Sequence, residues 1–314
     1  MADVSNRIPV WYYDKVRHYW TAKDSTMFRP RKPFSSDSLR IITYNIWFKK
    51  THQPSRFNHL NALLYRSDAH IICLQESKQI ESINNEQEVS ALYILATKYV
   101  LEQLISLPWI QHRYILSDVD GRTFLYSPRS YGVVMLIDKH LSLRELSMYP
   151  LPTRKGRQFL LAKIQLRNER FLVGTAHLES LRNSQDLRSQ QLQLCQSIFD
   201  RHIGDSLNVT GFFMGDFNFG AHWRENTIQM NILQGWTDLW PELKGPDDRG
   251  ITHTNVRFDR MMFRSSHVRP TKIRIIGKKP IAEAPPSGNQ LASERDVFIS
   301  DHFGLKANFD LSFI

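Results

Sequence analysis

Short β-branched and aromatic runs alternate with amphipathic stretches along most of this 314-residue chain. The run "LRIITYNIWF", from residue 39, reads as a buried strand with one polar interruption at Asn45. Residues 56–66 carry Phe57, Leu60, Leu63 and Leu64 at helical spacing on one side. "AHIICLQES" is a second buried strand, ending on Gln75 and Glu76. A long amphipathic helix is expected over residues 86–107, and strands over 113–116, 131–137, 158–166 and 170–175. A helix over 184–202 and a strand over 209–214 follow, and "FDRMMFR" and "LKANFDL" supply late strands. Residues 277–299, rich in Pro, Gly and Ser, read as a long surface loop. No repeat of fixed period and no low-complexity tract interrupts this order. Mixed strands and helices without an internal boundary predict one α/β domain over residues 39–314.

Residues 1–38 differ in character. An aromatic and basic cluster (Trp11, Tyr12, Tyr13, Arg17, His18, Tyr19, Trp20) leads into a proline-broken basic linker, "RPRKPFSSDS". Two readings are open: an arm that binds nucleic acid, with aromatics stacking on bases and cations meeting phosphates, or an extension that packs its aromatics onto the domain. The second is favoured.

Composition narrows the picture. A 41% hydrophobic content suits a packed core, and Lys and Arg exceed Asp and Glu by 41 − 31 = 10. That excess favours a polyanionic partner, either nucleic acid or an anionic lipid surface, although a basic enzyme with no such partner has the same balance. Cys73 and Cys195 are two thiols in apolar surroundings, which excludes a disulfide framework and points to a reducing compartment. No stretch reaches the roughly 18 apolar residues of a membrane span, and the N-terminus has no apolar leader. A monomer in the nucleus or cytoplasm is expected.

The chemistry lies where apolar runs stop. In "FFMGDFNFG", period-two geometry puts Asp216 and Asn218 on one face and Phe217 and Phe219 on the other, straight after Gly215. Alone, this is turn chemistry. Five other segments do the same thing. Asn45 interrupts "IITYNIW", Glu76 ends "IICLQES" and His177 follows "FLVGTA"; Asp259 sits in "RFDRMMF", and Asp301 and His302 precede "FGLKANF". Strand ends on one rim of a sheet converge, so these side chains are expected to share a pocket. Hard oxygens at Glu76, Asn45 and Asp301 suit Mg²⁺, with Mn²⁺ as a substitute. Two histidines and an amide suit charge developing on a phosphoryl group, and an Asp beside them can take a proton from water. No zinc-spaced Cys/His cluster, P-loop, G-x-S-x-G or H-E-x-x-H occurs, which disfavours structural zinc sites, P-loop NTPases, serine hydrolases and zincins. Metal-assisted hydrolysis of a phosphate ester is the class that remains.

"TYNIW", "LQES", "HLES", "GDFN", "RFDR" and "SDH", in this order, resemble the endonuclease/exonuclease/phosphatase superfamily over residues 39–311. The resemblance implies a four-layer α-β-β-α sandwich, with two face-to-face mixed β-sheets and outer helices. It implies that Glu76 binds the metal, with Asn45 beside it and Asp301 contributing, and that Asp216 activates water. It further implies that Asn218, His177 and His302 hold the phosphoryl oxygens and that Asp259 orients His302. The stretch "HLESLRNSQDLRSQQL" is nearest in register to superfamily members that cleave 5′-phosphotyrosyl DNA. Two positions depart from those members: Trp47 stands where they have an acid, and Gly220 where they have an arginine, for which Arg224 is the candidate replacement. A tyrosyl ester suits a site without an evident strong general acid, because a phenolate of pKa about 10 leaves readily. Arg182, Ser180, Arg224, Arg260 and Arg264 are then candidate contacts to a single-stranded DNA 5′ end. A phosphoinositide, sphingomyelin or RNA 3′ end is the alternative substrate, and a non-catalytic DNA-binding protein is a third reading.

Overall fold

The computed structural model describes residues 6–47, 51–75, 100–121, 132–204, 206–281 and 296–314. Strands β1 (Pro9–Asp14), β2 (Tyr19–Asp24), β3 (Ser38–Asn45), β4 (Ile71–Gln75), β5 (Tyr114–Leu116) and β6 (Val133–Asp138) belong to one sheet. Strands β7 (Ser142–Pro150), β8 (Gln158–Leu166), β9 (Glu169–His177), β10 (Val209–Asp216), β11 (Thr237–Asp238) and β12 (Asp259–Arg264) form the second. Strands β13 (Arg269–Ile276) and β14 (Gly304–Asp310) return to the first, whose order is β13-β14-β3-β4-β6-β5-β1-β2. The second sheet runs β11-β12-β10-β9-β8-β7. Helices α1 (Ser55–Ser67), α2 (Pro108–Arg113), α3 (Gln185–Ile203), α4 (Arg224–Ile232) and α5 (Leu239–Lys244) complete the named elements.

Side-chain alternation fixes the layers. Odd-numbered Ile41, Ile71, Cys73, Phe171 and Val173 and even-numbered Phe212 and Met214 share one core cluster between the sheets. Their neighbours Ile42, Tyr44, Ile72 and Leu74 point the other way, onto Phe57, Leu60 and Leu64 of α1. On the opposite outer face, Leu161, Leu172 and Phe213 meet Leu192, Cys195 and Phe199 of α3. The result is the expected α-β-β-α sandwich. Cys73 and Cys195 are both buried free thiols.

Four strands carry no label in the sequence reading. The first two are β1 and β2, a hairpin rather than an appended extension: β1 pairs with β5 at Trp11–Leu116, and Val10 lies in the inter-sheet core. The chain before residue 39 is therefore continuous with the larger sheet. Strand β7 escapes because a shift in pairing between Leu143 and Glu145 breaks its alternation. Strand β13 is an edge strand whose exposed positions leave little apolar signal. The expected helix over 86–107 lies mostly outside the described residues, of which 100–106 are helical. The 277–299 loop lies largely outside them too, although its ends meet where the Ile281 N–H donates to the Val297 carbonyl at 2.7 Å. Among the described residues no helix is long and apolar enough to cross a membrane.

Candidate active site

The phase that builds the inter-sheet core also builds the site. Asn45 continues the inward stripe of Ile41 and Thr43, Gln75 that of Ile71 and Cys73, and His177 that of Val173 and Thr175. Asp216 follows Phe212 and Met214 in the same way. Parallel pairing puts Asn45 level with Gln75 and His177 level with Asp216, and antiparallel β12 starts level with Asp216 at Asp259. Residues 300–302 arrive at the same rim just before β14, which runs antiparallel to β3. Below the rim Gln75 joins the sheets, its Nε2 donating to Thr43 Oγ1 and to Thr175 Oγ1, both at 2.9 Å.

Asp216 is the centre of this rim and has no solvent exposure. Asn45 Nδ2 donates to its Oδ2 at 3.0 Å, and the Asn218 N–H donates to its Oδ1 at 2.9 Å. His177 Nε2 and His302 Nε2 approach Oδ2 at 3.4 and 3.7 Å. Burial pushes the Asp216 pKa upward, but the His302 and His177 rings and the two amide donors outweigh it and hold the carboxyl below its ordinary value. His302 Nδ1 lies 2.8 Å from Asp259 Oδ2. Burial works against a charged His302, yet the Asp259 and Asp216 carboxylates raise it to about 10. Burial raises Asp259 to about 6 against the opposing pull of His302. At neutral pH the proton of this pair is therefore on the imidazole.

The His177 tautomer follows from its neighbour. Arg157, 2% exposed, places Nη1 at 2.9 Å from His177 Nδ1. A guanidinium only donates, so Nδ1 accepts and the ring proton is on Nε2, toward Asp216.

The backbone is shaped around these groups. Gly215 has φ +142°, and a Cβ there would sit 1.9 Å from the Ala176 carbonyl oxygen, so no side chain fits. Asn218 is left-handed at φ +57°, its Nδ2 donates to the Leu178 carbonyl at 2.9 Å, and Phe217 and Phe219 are buried behind it. This stretch is a turn and a site at once. Arg188, fully buried, clamps the strand-to-helix connection: it donates to Glu225 through Nε and Nη2 and to the Glu179 and Leu181 carbonyls through Nη1. Gln191 accepts from the Glu179 N–H at 2.8 Å. Arg56 donates to the carbonyls of Ile46, Trp47 and Ile299, tying α1 to both segments that deliver Asn45 and Asp301.

The candidate ligand contacts divide. Arg182 is exposed and lies over the Trp223 ring at 5.0 Å; Ser180 accepts from Lys155 Nζ at 2.8 Å; Arg224 is exposed at the start of α4. Trp223 packs on Phe258 at 5.5 Å, Phe258 stacks on His253 at 5.4 Å, and His253 lies 4.4 Å from His302. An aromatic wall thus runs from the catalytic rim to Arg182. Arg260 is not on it. It is 1% exposed, pairs with Asp238 at 2.7 Å and lies over the Phe219 ring, so its guanidinium holds the fold together and offers nothing to a ligand. Arg264, at the other end of β12, pairs with Asp200.

Asp301 and His253 are the more open members, with side chains 33% and 29% exposed and 4.0 Å apart. Glu76 lies outside the described residues, directly after Gln75. Sequence reasoning misses Arg157, His253 and Ser300. Ser300 donates to the Asn45 carbonyl at 2.7 Å and accepts from the His302 N–H, bridging two site segments. None of the three ends an apolar run; only the histidine at 253, six residues before "DRMMF", had a signal to follow.

Sandwich and rim together define a phosphoester-hydrolase architecture, and the chain belongs to the Endonuclease/Exonuclease/phosphatase family, whose model matches residues 42–302. Enzymes of this family are generally dependent on a divalent metal. The chain is similar to tyrosyl-DNA phosphodiesterase 2 of Gallus gallus, 26% identical over 203 residues that cover 58% of this chain and 50% of that protein. It spans about half the length of the curated relatives it matches. Its fold is similar to that of D. rerio TDP2 complexed with single-strand DNA product (TM-score 0.62, 21% identity, 88% of this chain and 100% of that one). It is similar also to the human Nocturnin catalytic domain (TM-score 0.60, 12% identity, 88% and 95%).

Proposed function

We propose that this protein is a Mg²⁺-dependent phosphodiesterase that hydrolyses 5′-phosphotyrosyl DNA ends to leave a 5′-phosphate, in DNA repair. The observation that carries the reading is the Asp216 environment: an ionised, fully buried carboxylate ringed by two histidines and two amide donors at one rim of both sheets. The similarity to tyrosyl-DNA phosphodiesterase 2 supports the substrate.

The oxygen donors suit a hard cation. Asn45 Oδ1 accepts one bond, from the Trp47 N–H, and keeps a lone pair, while the Asp301 carboxylate is partly open. Among the described residues no group of three or more His, Cys, Asp or Glu converges on a metal position, so the proposed set is Asn45 and Asp301 completed by Glu76. Magnesium bound there, or manganese in its place, supplies a Lewis acid for the phosphoryl oxygens and a template for the ester.

The chain's own groups do the rest. Asp216 takes the proton of the attacking water with a lone pair not used by Asn45 or Asn218. The protonated His302 ring, held by Asp259, and the Nε2–H of His177, fixed by Arg157, stabilise charge as it builds on phosphorus, together with Asn218. The tyrosine phenolate, of pKa about 10, departs without a strong acid. The wall of Trp223, Phe258 and His253 offers faces on which the strand's bases stack, with Arg182 and Arg224 meeting phosphates and Ser180 lending a hydroxyl.

The test is a substrate panel at equal concentration: a 5′-tyrosyl single-stranded oligonucleotide, a phosphoinositide, sphingomyelin and a polyadenylate RNA, each with Mg²⁺. Preferential release of tyrosine supports the proposal. Preferential turnover of lipid or RNA transfers the same chemistry to that substrate, and salt-sensitive DNA binding without turnover replaces it with a binding role.

A further inference from the structure

At the other end of the larger sheet from Asp216 lies a cavity of about 490 Å³ that the catalytic cluster does not use. Its position follows from the register. Asn45 pairs with Gln75 at the catalytic rim, whereas Tyr114 pairs with Asp138 beyond the far ends of β4 and β6, and β1 lies outside β5. Four residues along β4 and three strand spacings across the sheet put the cavity on the order of 20 Å from the rim.

Two observations define what it takes. The floor is aromatic and apolar, built from Tyr12, Phe28, Tyr114 and Ile115. The wall is cationic: Lys15, Lys23, Arg29, Arg31, Lys32 and Lys139 line it, with Asp14 the one acid among the lining residues. Among the described residues none of these six cations forms an ion pair; Arg29 donates to the Thr26 and Phe28 carbonyls and Lys139 to the His112 carbonyl. The Asp14 carboxylate is occupied by the Val16 and Arg17 N–H groups. Burial, and then the charge of Lys15, with a smaller push from Arg31, lowers the Lys139 pKa, as expected where like charges crowd without counter-ions. A solvated basic face would disperse its charges over a convex surface. Here they converge on a concavity of ligand size with ring systems at its base.

We propose that this cavity is a second binding site, for a nucleotide unit: base or sugar against the aromatic floor, phosphate between Lys15, Arg31 and Lys139. The unit comes from single-stranded nucleic acid or from a free nucleotide, which offer the same chemistry. The site stands on its own residues and is independent of the reaction assigned to the rim.

The experiment is fluorescence anisotropy of a labelled oligo-dT in EDTA, so that turnover plays no part, with full-length wild type, Asp216→Asn and Lys15→Glu/Arg31→Glu. Lys15 and Arg31 are exposed and unpaired, so the double variant is expected to melt like wild type. The expected result is at least tenfold weaker binding for the double variant and a salt slope smaller by about 1.4, from roughly 0.7 per lost phosphate contact on a single strand. Asp216→Asn keeps this component of binding. Competition by dTMP at comparable site occupancy identifies a free nucleotide as ligand; no competition identifies the strand. Acetylation footprinting of wild type, with Lys15, Lys23, Lys32 and Lys139 protected by oligo-dT, gives the same answer without a variant. Unchanged affinity and no protection overturn the site. So does binding of the cavity to phosphatidylserine vesicles in place of oligo-dT, which would make it a membrane contact.

Discussion

Asp216 stays ionised without solvent because Asn45, Asn218, His177 and His302 reach it from different segments. Asp216→Asn is therefore expected to lower turnover by on the order of 100- to 10,000-fold, the range for a positioned general base. His302→Ala should cost roughly 100- to 1,000-fold. Both variants should retain cooperative thermal unfolding, and near wild-type turnover in either would remove that residue from the chemistry. Arg157 acts one step back, as a positioning residue. Arg157→Met frees His177 Nδ1 and should reduce kcat by about tenfold or more with KM little changed, with part of the loss recovered in Arg157→Lys, which keeps a donor; steady-state kinetics beside a melting curve checks this. The sequence displays Asn45, His177, Asp216, Asp259 and His302 because each sits at the limit of an apolar run. Arg157 stays hidden because "TRKGRQ" reads as a charged surface turn, and only the folded chain buries one of its arginines against a histidine.

The end of β10 shows how an element sets a site. Gly215 is held at φ +142° against the Ala176 carbonyl, so Gly215→Ala combines strained backbone with a direct clash. It should destabilise the fold by at least about 1–3 kcal/mol, read from urea unfolding, and a neutral outcome would mean that β9 and β10 do not approach as described. The start of β4 carries a second dependence. His70 is 4% exposed, and its Nδ1 accepts the Arg40 N–H at 3.0 Å. Burial, then Arg40 and Arg113, hold its pKa down at about 4, against 6.5 for an ordinary histidine. A base with a depressed folded pKa is neutral in the fold, so its share of stability is intact above about pH 6.5 and is lost as pH falls toward 4. The shift corresponds to about 3 kcal/mol at most. His70→Gln keeps an acceptor without titrating, so its stability should fall less than that of wild type between pH 7 and pH 4.5. Equal losses would contradict a buried neutral imidazole. Elements with clean period-two or helical spacing, such as β3, β4, β10 and α1, are evident from sequence; β1 and β2 are not, because their aromatics face both the core and an open cavity.

The whole molecule places two kinds of chemistry at opposite ends of one sheet. The catalytic rim gathers acids, amides and histidines; the far cavity gathers unpaired cations over aromatic rings. The net charge of +10 is consistent with a polyanion at either end, and the sequence could not say which, because charge totals carry no position. Fold class was open to sequence reasoning through order and alternation, and the convergence of strand ends through their common polarity. What remained closed was every feature made by contact between distant segments, including the Gln75 bridge, the aromatic wall and the burial of Arg260. The most direct measurement is cleavage of a 5′-tyrosyl single-stranded oligonucleotide with Mg²⁺, beside an EDTA control and Asp216→Asn. A 5′-phosphate product that disappears in both controls is the expected result. An intact substrate with folded protein, or a product that persists with Asp216→Asn, would contradict it.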